Sequence, residues 1–435
     1  MRPSRPAALP DCVPPAWLAA IEAVARESGA RSSAARDGAA RDGAARVDLP
    51  VAALVLEVAQ LSAAYTRDRS SGRTLAEAPR TAGALAARLR FFLPRDLAKI
   101  SGPLEELRLA GALPRAVIDG ARRVRVLDVG AGLGATCLGA ATYLKTHGLA
   151  RAGLDVDAID SDTRALALLG ALAKETRSGG RLAQVAVPTD VHTLTLDITR
   201  AEALPRGPYD LVLVGFALNE LFVALPPAEA SARRAEWLIA LGERLSDDGA
   251  LIVLEPALRD TSRALQAVRD RIAARRAPPY VAAPCVRSGP CPMLLGERDW
   301  CHAALPLALP GVVADIARGA GLRFEGLRYA YLVLRRQPDA MATRLRAAGA
   351  GIALRIVGDT MASKGKSEVF ACGEPGLVRL MLLDREQSDA NAAFDSVARG
   401  ELVAVEPLEL RPGPADDPSG VARARLLSGS VVSPL

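Results

Sequence analysis

Residues 128–134 read Asp128-Val-Gly-Ala-Gly-Leu-Gly134. Just before the glycines, Val124 to Val129 is a short β-branched apolar run; just after them, Ala135 to His147 is spaced as a helix. A strand running through glycines into a helix is the context a phosphate- or nucleoside-type binding loop requires. Gly130, Gly132 and Gly134 allow the tight turn and close approach of a ligand to the backbone. Working outward, strand patterns recur at Leu154 to Ile159, Leu194 to Leu196, Leu211 to Gly215 and Ala250 to Leu254. Helical stretches, Thr163 to Thr176 and Ala232 to Leu245, lie between them. This alternation implies right-handed βαβ crossovers and a mostly parallel, doubly wound α/β sheet of Rossmann-like type. Near its end, Leu322 to Leu327 and Tyr329 to Arg335 read as two strands with a connection too short for a crossover, so the last pair is expected to be antiparallel.

A dinucleotide site has a similar look. Two features favour S-adenosylmethionine. Asp128 stands inside the first strand, where it can meet a cationic amino group directly or through water, and the spacing is Gly-x-Gly-x-Gly. Asp160, at the end of the second strand, can accept from both ribose hydroxyls; Asp162 is the second choice. Asp197, in Leu-Asp-Ile, either takes the adenine amino group or caps the segment after it. The fourth strand runs into Gly215-Phe-Ala-Leu-Asn-Glu-Leu221, at the carboxyl edge where ligands bind in such folds. Asn219 and Glu220 either orient a substrate, with Glu220 the candidate general base, or cap the next helix. Glu255 ends the fifth strand at the same edge.

The chain of 435 residues is 50% hydrophobic and 24% charged, which excludes disorder throughout and fibrous structure. Residues 1–115 read as a helical N-terminal region, with Pro15 to Arg26, Val51 to Thr66 and Thr81 to Leu93 as helices and 27–46 as a low-complexity linker. Residues 116–336 read as the ligand-binding domain, with a cysteine insertion at 278–303. Residues 337–435 read as a β-rich module with a frayed end. No run of 18 or more apolar residues lacks a charge or a breaker, so no membrane span is expected. The N-terminus has no apolar core of a secretory signal and carries Asp11, Asp37 and Asp42, so a cytoplasmic location is expected, with the chain a monomer.

Cys285, Cys291 and Cys301 fall within 17 residues, among Pro, Gly and Ser, and Cys372 lies at the end of a later strand. Four thiolates suit zinc or an iron–sulfur cluster. The spacing lacks paired C-x-x-C knuckles, a Cys-Pro step recurs in cluster loops, and His302 is an alternative zinc ligand. Unligated thiols are the remaining reading.

The net charge is +6, and only five of the 55 basic residues are lysine. Between Pro256 and Trp300 there are eight arginines and four acids; between Arg318 and Arg379 there are eleven basic residues and five acids. The surplus thus gathers around the cysteines and the strands after them, as expected where phosphates are neutralised. Lys364-Gly-Lys366 reads as a loop poised to meet phosphates. A solvated charged face is the alternative.

Together these pieces resemble the mitochondrial ribosomal small-subunit methyltransferase-like family and its bacterial relatives. The resemblance covers about residues 60 to 405. It rests on Leu61-Ser-Ala-Ala-Tyr65, Arg88-Leu-Arg-Phe-Phe-Leu-Pro94, the glycine loop, Leu218-Asn-Glu-Leu221 and Leu254-Glu-Pro256. It continues through the run from Ala283-Pro-Cys285 by Cys291-Pro292 to Trp300-Cys-His302, and Tyr329-Ala-Tyr-Leu-Val-Leu334. The resemblance implies a class I S-adenosylmethionine-dependent fold with a four-iron [4Fe-4S] cluster on Cys285, Cys291, Cys301 and Cys372. It implies action on the small ribosomal subunit and its rRNA, as an rRNA methyltransferase or as a non-catalytic assembly factor using the fold as an RNA-binding platform. The Asn-Pro-Pro-Tyr motif of amino-group methyltransferases is replaced here by Asn219-Glu220-Leu221.

Overall fold

The computed structural model describes residues 9–34, 47–66, 81–323, 325–338, 351–411 and 421–434. The first sheet contains β1 (Val124–Val129), β2 (Leu154–Asp160), β3 (Thr189–Thr195), β4 (Tyr209–Gly215), β5 (Leu245–Pro256), β6 (Tyr280–Ala283), β7 (Ala303–Ala308) and β8 (Glu325–Arg335). Its order is β3-β2-β1-β4-β5-β8-β6, with β7 also paired to β8. The β3-β2-β1-β4-β5 pairs are parallel, and β8 runs antiparallel to β5. Five parallel strands with an antiparallel strand beyond β5 make this the class I methyltransferase fold.

Side-chain alternation along the strands explains the layering. Val124 and Val126 enter one buried cluster with helices Ala135–Thr146 and Thr163–Lys174; Leu127 and Val129 enter another with helices Pro227–Gly242 and Arg259–Ala274. Helices therefore cover both faces.

Several elements differ from the reading of the sequence. The first helix runs Pro15–Ala34, eight residues beyond Arg26, so the linker begins later than residue 27; residues 35–46 lie outside the described residues. Residues 82–109 form one unbroken helical run that includes a π-helical turn, Arg88–Phe92. The third strand begins at Thr189 and ends at Thr195, so Asp197 lies two residues past it; its exposed Thr and His side chains hid it from an apolar search. The two strands expected over 322–335 are one long strand, β8, because both of its flanks are already occupied by β5 and by β6 and β7. The cysteine insertion lies between β6 and β7, short strands that the Pro- and Ala-rich context obscured.

The C-terminal module is a second sheet. It holds β9 (Ile352–Ile356), β10 (Met361–Ser363), β11 (Lys366–Gly373), β12 (Gly376–Leu383), β13 (Leu402–Glu406), β14 (Leu410–Arg411), β15 (Ala422–Leu426) and β16 (Val431–Pro434). The end expected to be frayed thus supplies two strands, while residues 412–420 lie outside the described residues. Among the described residues no helix is long and apolar enough to cross a membrane.

Candidate functional site

The carboxyl ends of β1, β2, β4 and β5 are in register, with Val129 beside Ile159 and Val214, and Gly215 beside Leu254. The glycine loop turns over this edge. Gly130 N and Ala131 N donate to Ile159 O at 2.8 and 2.9 Å. Gly130 and Gly134 have φ of +73° and +79°. A Cβ on Gly130 would meet the Ala217 Cβ at 2.5 Å, and one on Gly134 the Leu169 Cδ1 at 2.3 Å, so these two glycines serve packing. Gly132, at φ +51°, lies under the tip of Arg88: a Cβ there would meet Arg88 Nη2 at 2.9 Å and Asp160 Oδ2 at 3.8 Å, so these two side chains bound a cradle that only glycine leaves clear.

Asp128 shares the Val124–Val126 side of β1, so its side chain emerges beneath the following helix. It is fully buried. Its carboxylate accepts from Thr136 Oγ1 at 2.8 Å and Cys137 N at 3.2 Å. Burial pushes its pKa up to about 6, against the pull of these hydrogen bonds. Asp160 bridges the loop and the next turn: Oδ2 accepts from Gly132 N and Oδ1 from Asp162 N, both at 2.8 Å. Asp162 caps helix Thr163–Lys174 through the amides of Arg164 and Ala165. Burial raises the Asp162 pKa, but the Ala165 amide and Arg88 outweigh this and hold it below the usual carboxylate range. Asp197 is exposed and accepts from Thr199 N at 2.9 Å, an Asx turn and not a helix cap.

Arg88 escaped the sequence reading. Its Nη1 donates to Asp162 Oδ2 at 2.7 Å, over the glycine loop. The signal was a cation at the start of Arg88-Leu-Arg-Phe-Phe-Leu-Pro94, but only the π-helical turn aims it there. Such turns recur at functional sites.

At the far side, Phe216 and Phe222 have φ of +61° and +57° and flank the 3-10 turn Leu218–Glu220. Strained backbone at the carboxyl edge of a sheet marks a place shaped for more than folding. Asn219 N donates to the buried Glu255 at 3.1 Å, and its Nδ2 donates to Phe216 O at 3.2 Å. Its Oδ1 is buried without a hydrogen-bond partner. Glu220 is exposed at the same turn. Buried Arg234 holds the turn through the carbonyls of Asn219 and Leu221.

The second site is a cavity of about 50 Å³ whose lining includes Cys285, Cys291, Cys301 and Cys372, with His302 beside them. Three come from the insertion and one from β11, so the cavity joins the two sheets. Helix Arg259–Ala274 holds the irregular loop from one face, at positions three apart. Arg263 donates to the carbonyls of Met293, Gly296 and Asp299; Gln266 donates to Cys301 O; Arg269 donates to Gly289 O at 2.6 Å. Asp270 accepts from Cys291 N at 2.9 Å. Arg355, from β9, donates to Pro284 O and pairs with Glu106 of the helical run at 3.0 Å. Part of the basic surplus therefore points inward: Arg269, Arg335 and Arg355 are buried, and the arginines here satisfy loop carbonyls.

Burial, and then the neighbouring cysteines, push the thiols of Cys291, Cys301 and Cys372 up to about 12. Burial and Arg399 bring His302 down to about 4. Both His302 ring nitrogens are buried without a hydrogen-bond partner. Among the described residues no group of three or more His, Cys, Asp or Glu is drawn together as a site for one metal ion.

A family profile described as mitochondrial small ribosomal subunit Rsm22 matches residues 118–399. No curated protein matches the sequence. Among solved structures, the plantazolicin methyltransferase BamL, in complex with a triazolic desmethylPZN analog and SAH, is 10% identical over 66% of this chain and 98% of its own, with a TM-score of 0.32. TehB from Haemophilus influenzae is 13% identical over 50% of this chain and 59% of its own, with a TM-score of 0.27. An S-adenosylmethionine-dependent O-methyltransferase from Thermotoga maritima is 14% identical over 54% and 65%, with a TM-score of 0.28.

Proposed function

From the premise that the chain belongs to the Rsm22 family of mitochondrial small ribosomal subunit proteins, we propose that it binds S-adenosylmethionine and methylates RNA of the small ribosomal subunit. The observation that carries the reading is the cradle at Gly132, bounded by Asp160 and Arg88 at the carboxyl edge of a class I methyltransferase sheet. Asp160 would face the ligand's ribose through this loop and Asp197 its adenine, while the buried Asp128 would act on the cationic end through the Thr136–Cys137 turn that it holds. Bound there, S-adenosylmethionine would supply a methyl group activated on a sulfonium sulfur. This chain would then hold a base in line with it, an effect of positioning. Asn219 would orient the base through its free Oδ1, and Glu220 would take up a proton at the exposed end of the turn.

We propose further that the cysteine cavity takes a four-iron cluster, its thiols drawing together on binding. Four thiols share one cavity, and Arg269, Arg287 and Arg355 line it, which matches the negative charge of a Cys₄-ligated cluster. Cys285, Cys291, Cys301 and Cys372 would hold it, and it would supply a covalent tie between the two sheets or a redox-sensitive one. Zinc is the alternative occupant.

One observation favours a second reading, a non-catalytic assembly factor. The Asn219 amide nitrogen is spent on Phe216 O, so the turn lacks the free planar clamp of amino-group methyltransferases. Labelled methyl transfer to immature small subunits at saturating cofactor, with Asp128→Ala as control, separates the two. Incorporation that the control loses supports the enzyme; none, with binding retained, leaves the assembly factor. Anaerobically purified protein should be brown with iron and sulfide present; a colourless protein with one zinc would replace the cluster.

A further inference from the structure

The second sheet has a connectivity of its own. β9 pairs antiparallel with both β11 and β13, β11 pairs antiparallel with β12, and β12 pairs parallel with β15. A short helical segment, Asp389–Ser396, joins β12 to β13, and its Phe394 packs into the module's core. Taking β9, β11, β12, β13 and β15 as strands one to five, the order is 5-3-2-1-4. This is the OB-fold, a partly open Greek-key barrel whose second and third strands form its binding face.

The side chains on that face lie in rows set by the register. Val378, Leu380, Ala424 and Leu426 fill the barrel, so the alternating residues point outward. One outward row runs across four strands: Phe370 beside Arg379, Arg379 beside Arg423, and Arg423 beside Arg411. Strands lie about 4.8 Å apart, so three guanidiniums are lined up over roughly 10 Å. Like charges directly opposite one another weaken a sheet, so this row does not serve the sheet's own stability. Glu368 offsets Arg379 at 2.8 Å, while Arg411 and Arg423 are exposed and have no ion-pair partner among the described residues. Arg425 lies one row away, and Lys364 is exposed at the tip between β10 and β11.

The row on the other side of the arginines contains Cys372, paired with Leu377 and turned into the cysteine cavity. The cysteine insertion thus covers one end of the OB face and, among the described residues, leaves the arginine end open.

We infer that this open end, built on Arg379, Arg423 and Arg411, binds single-stranded RNA. Guanidinium planes pair with phosphates and stack on unpaired bases, whereas a narrow row on a curved sheet does not follow the groove of a duplex. The inference rests on the reading of the chain as a protein of the small-subunit RNA, and it places the contact on the second sheet instead of at the glycine loop.

The test uses the full chain with two probes: a fluorescent single-stranded oligoribonucleotide of about twelve nucleotides, measured by anisotropy against salt, and purified small subunits, measured by co-sedimentation. The double variant Arg411→Ala/Arg423→Ala should bind the oligonucleotide about tenfold or more weakly. Its log–log salt slope should fall by about 1.4, at about 0.7 per phosphate contact on a single strand. Arg233→Ala, on the exposed side of helix Pro227–Gly242, should change neither, and equal melting temperatures of all three proteins control for folding. Wild-type binding that the double variant retains would overturn the inference while leaving the ribosomal reading intact. Equal or tighter binding to the matching duplex would overturn the single-strand class. Wild-type protein that binds neither probe would overturn both readings.

Discussion

The glycine-loop crevice and the cysteine cavity differ in the charge that mainly holds their backbone, Asp270 on Cys291 N being an exception in the cavity. In the crevice, carboxylates hold backbone amides: Asp128 takes Cys137 N, Asp160 takes Gly132 N and Asp162 N, and Asp162 takes the start of the next helix. In the cavity, guanidiniums hold backbone carbonyls: Arg263, Arg269 and Arg355 tie the loop between β6 and β7. The reason lies in the backbone left over. A strand–turn–helix unit exposes amides at the helix start, and acids satisfy them from a few residues away. A proline-rich loop without ladder partners leaves carbonyls, and only a long side chain from another element reaches them. The crevice is thus self-supporting, while the cavity depends on distant residues and on whatever its thiols bind.

The most severe way to break this contrast is to remove a guanidinium. Arg269→Ala should cost about 2–3 kcal/mol in urea unfolding, because the carbonyls of Gly289 and Arg287 lose their charged donor, and should abolish retention of the proposed cluster. A loss under about 1 kcal/mol would show that the loop supports itself. Gly134→Ala should cost about 2–3 kcal/mol, because its Cβ meets Leu169 and its φ is +79°. Gly132→Ala should leave stability closer to wild type and weaken S-adenosylmethionine in calorimetry.

Asp128→Asn carries a pH signature. The folded pKa near 6 lies above the unfolded value, so proton binding favours the fold. That stabilisation is complete below about pH 4 and is lost as pH rises through about 6. The variant should therefore match wild type near pH 4 and exceed it by up to about 2–3 kcal/mol at pH 8, while binding the cofactor about tenfold more weakly. A pH-independent difference would count against the buried ionisation. Arg88→Ala should be the mildest: its side chain is 28% exposed, so stability should fall by no more than about 1 kcal/mol, with a several-fold rise in cofactor Kd. Unchanged Kd would reduce Arg88 to a helix-cap partner.

Much of the crevice was legible in one dimension because its parts are close in the chain. β1 from Val124 to Val129, the three glycines and the helix after them lie within 23 residues, and each obeys a local rule. Legibility fell where a partner decides the outcome. Thr189 to Thr195 carries few apolar side chains and is a strand because β2 pairs with it. Leu322 to Arg335 reads as a hairpin, but neighbours on both sides make Glu325–Arg335 one strand. The basic surplus was visible as composition, yet which arginines turn inward depends on which carbonyls lack partners.

The sequence by itself determined the alternation of strand and helix, the glycine turn, the acids near it and the four cysteines as a set, since periodicity and turn chemistry act over a few residues. Only the tertiary structure decided that Asp128 faces a helix instead of open crevice, that Arg88 reaches the loop from 40 residues upstream, and that Cys372 joins three cysteines from another sheet. It also decided that three arginines far apart in the chain form one row. Strand register and helix phase set those neighbours, and both are fixed by burying apolar faces against elements distant in the sequence.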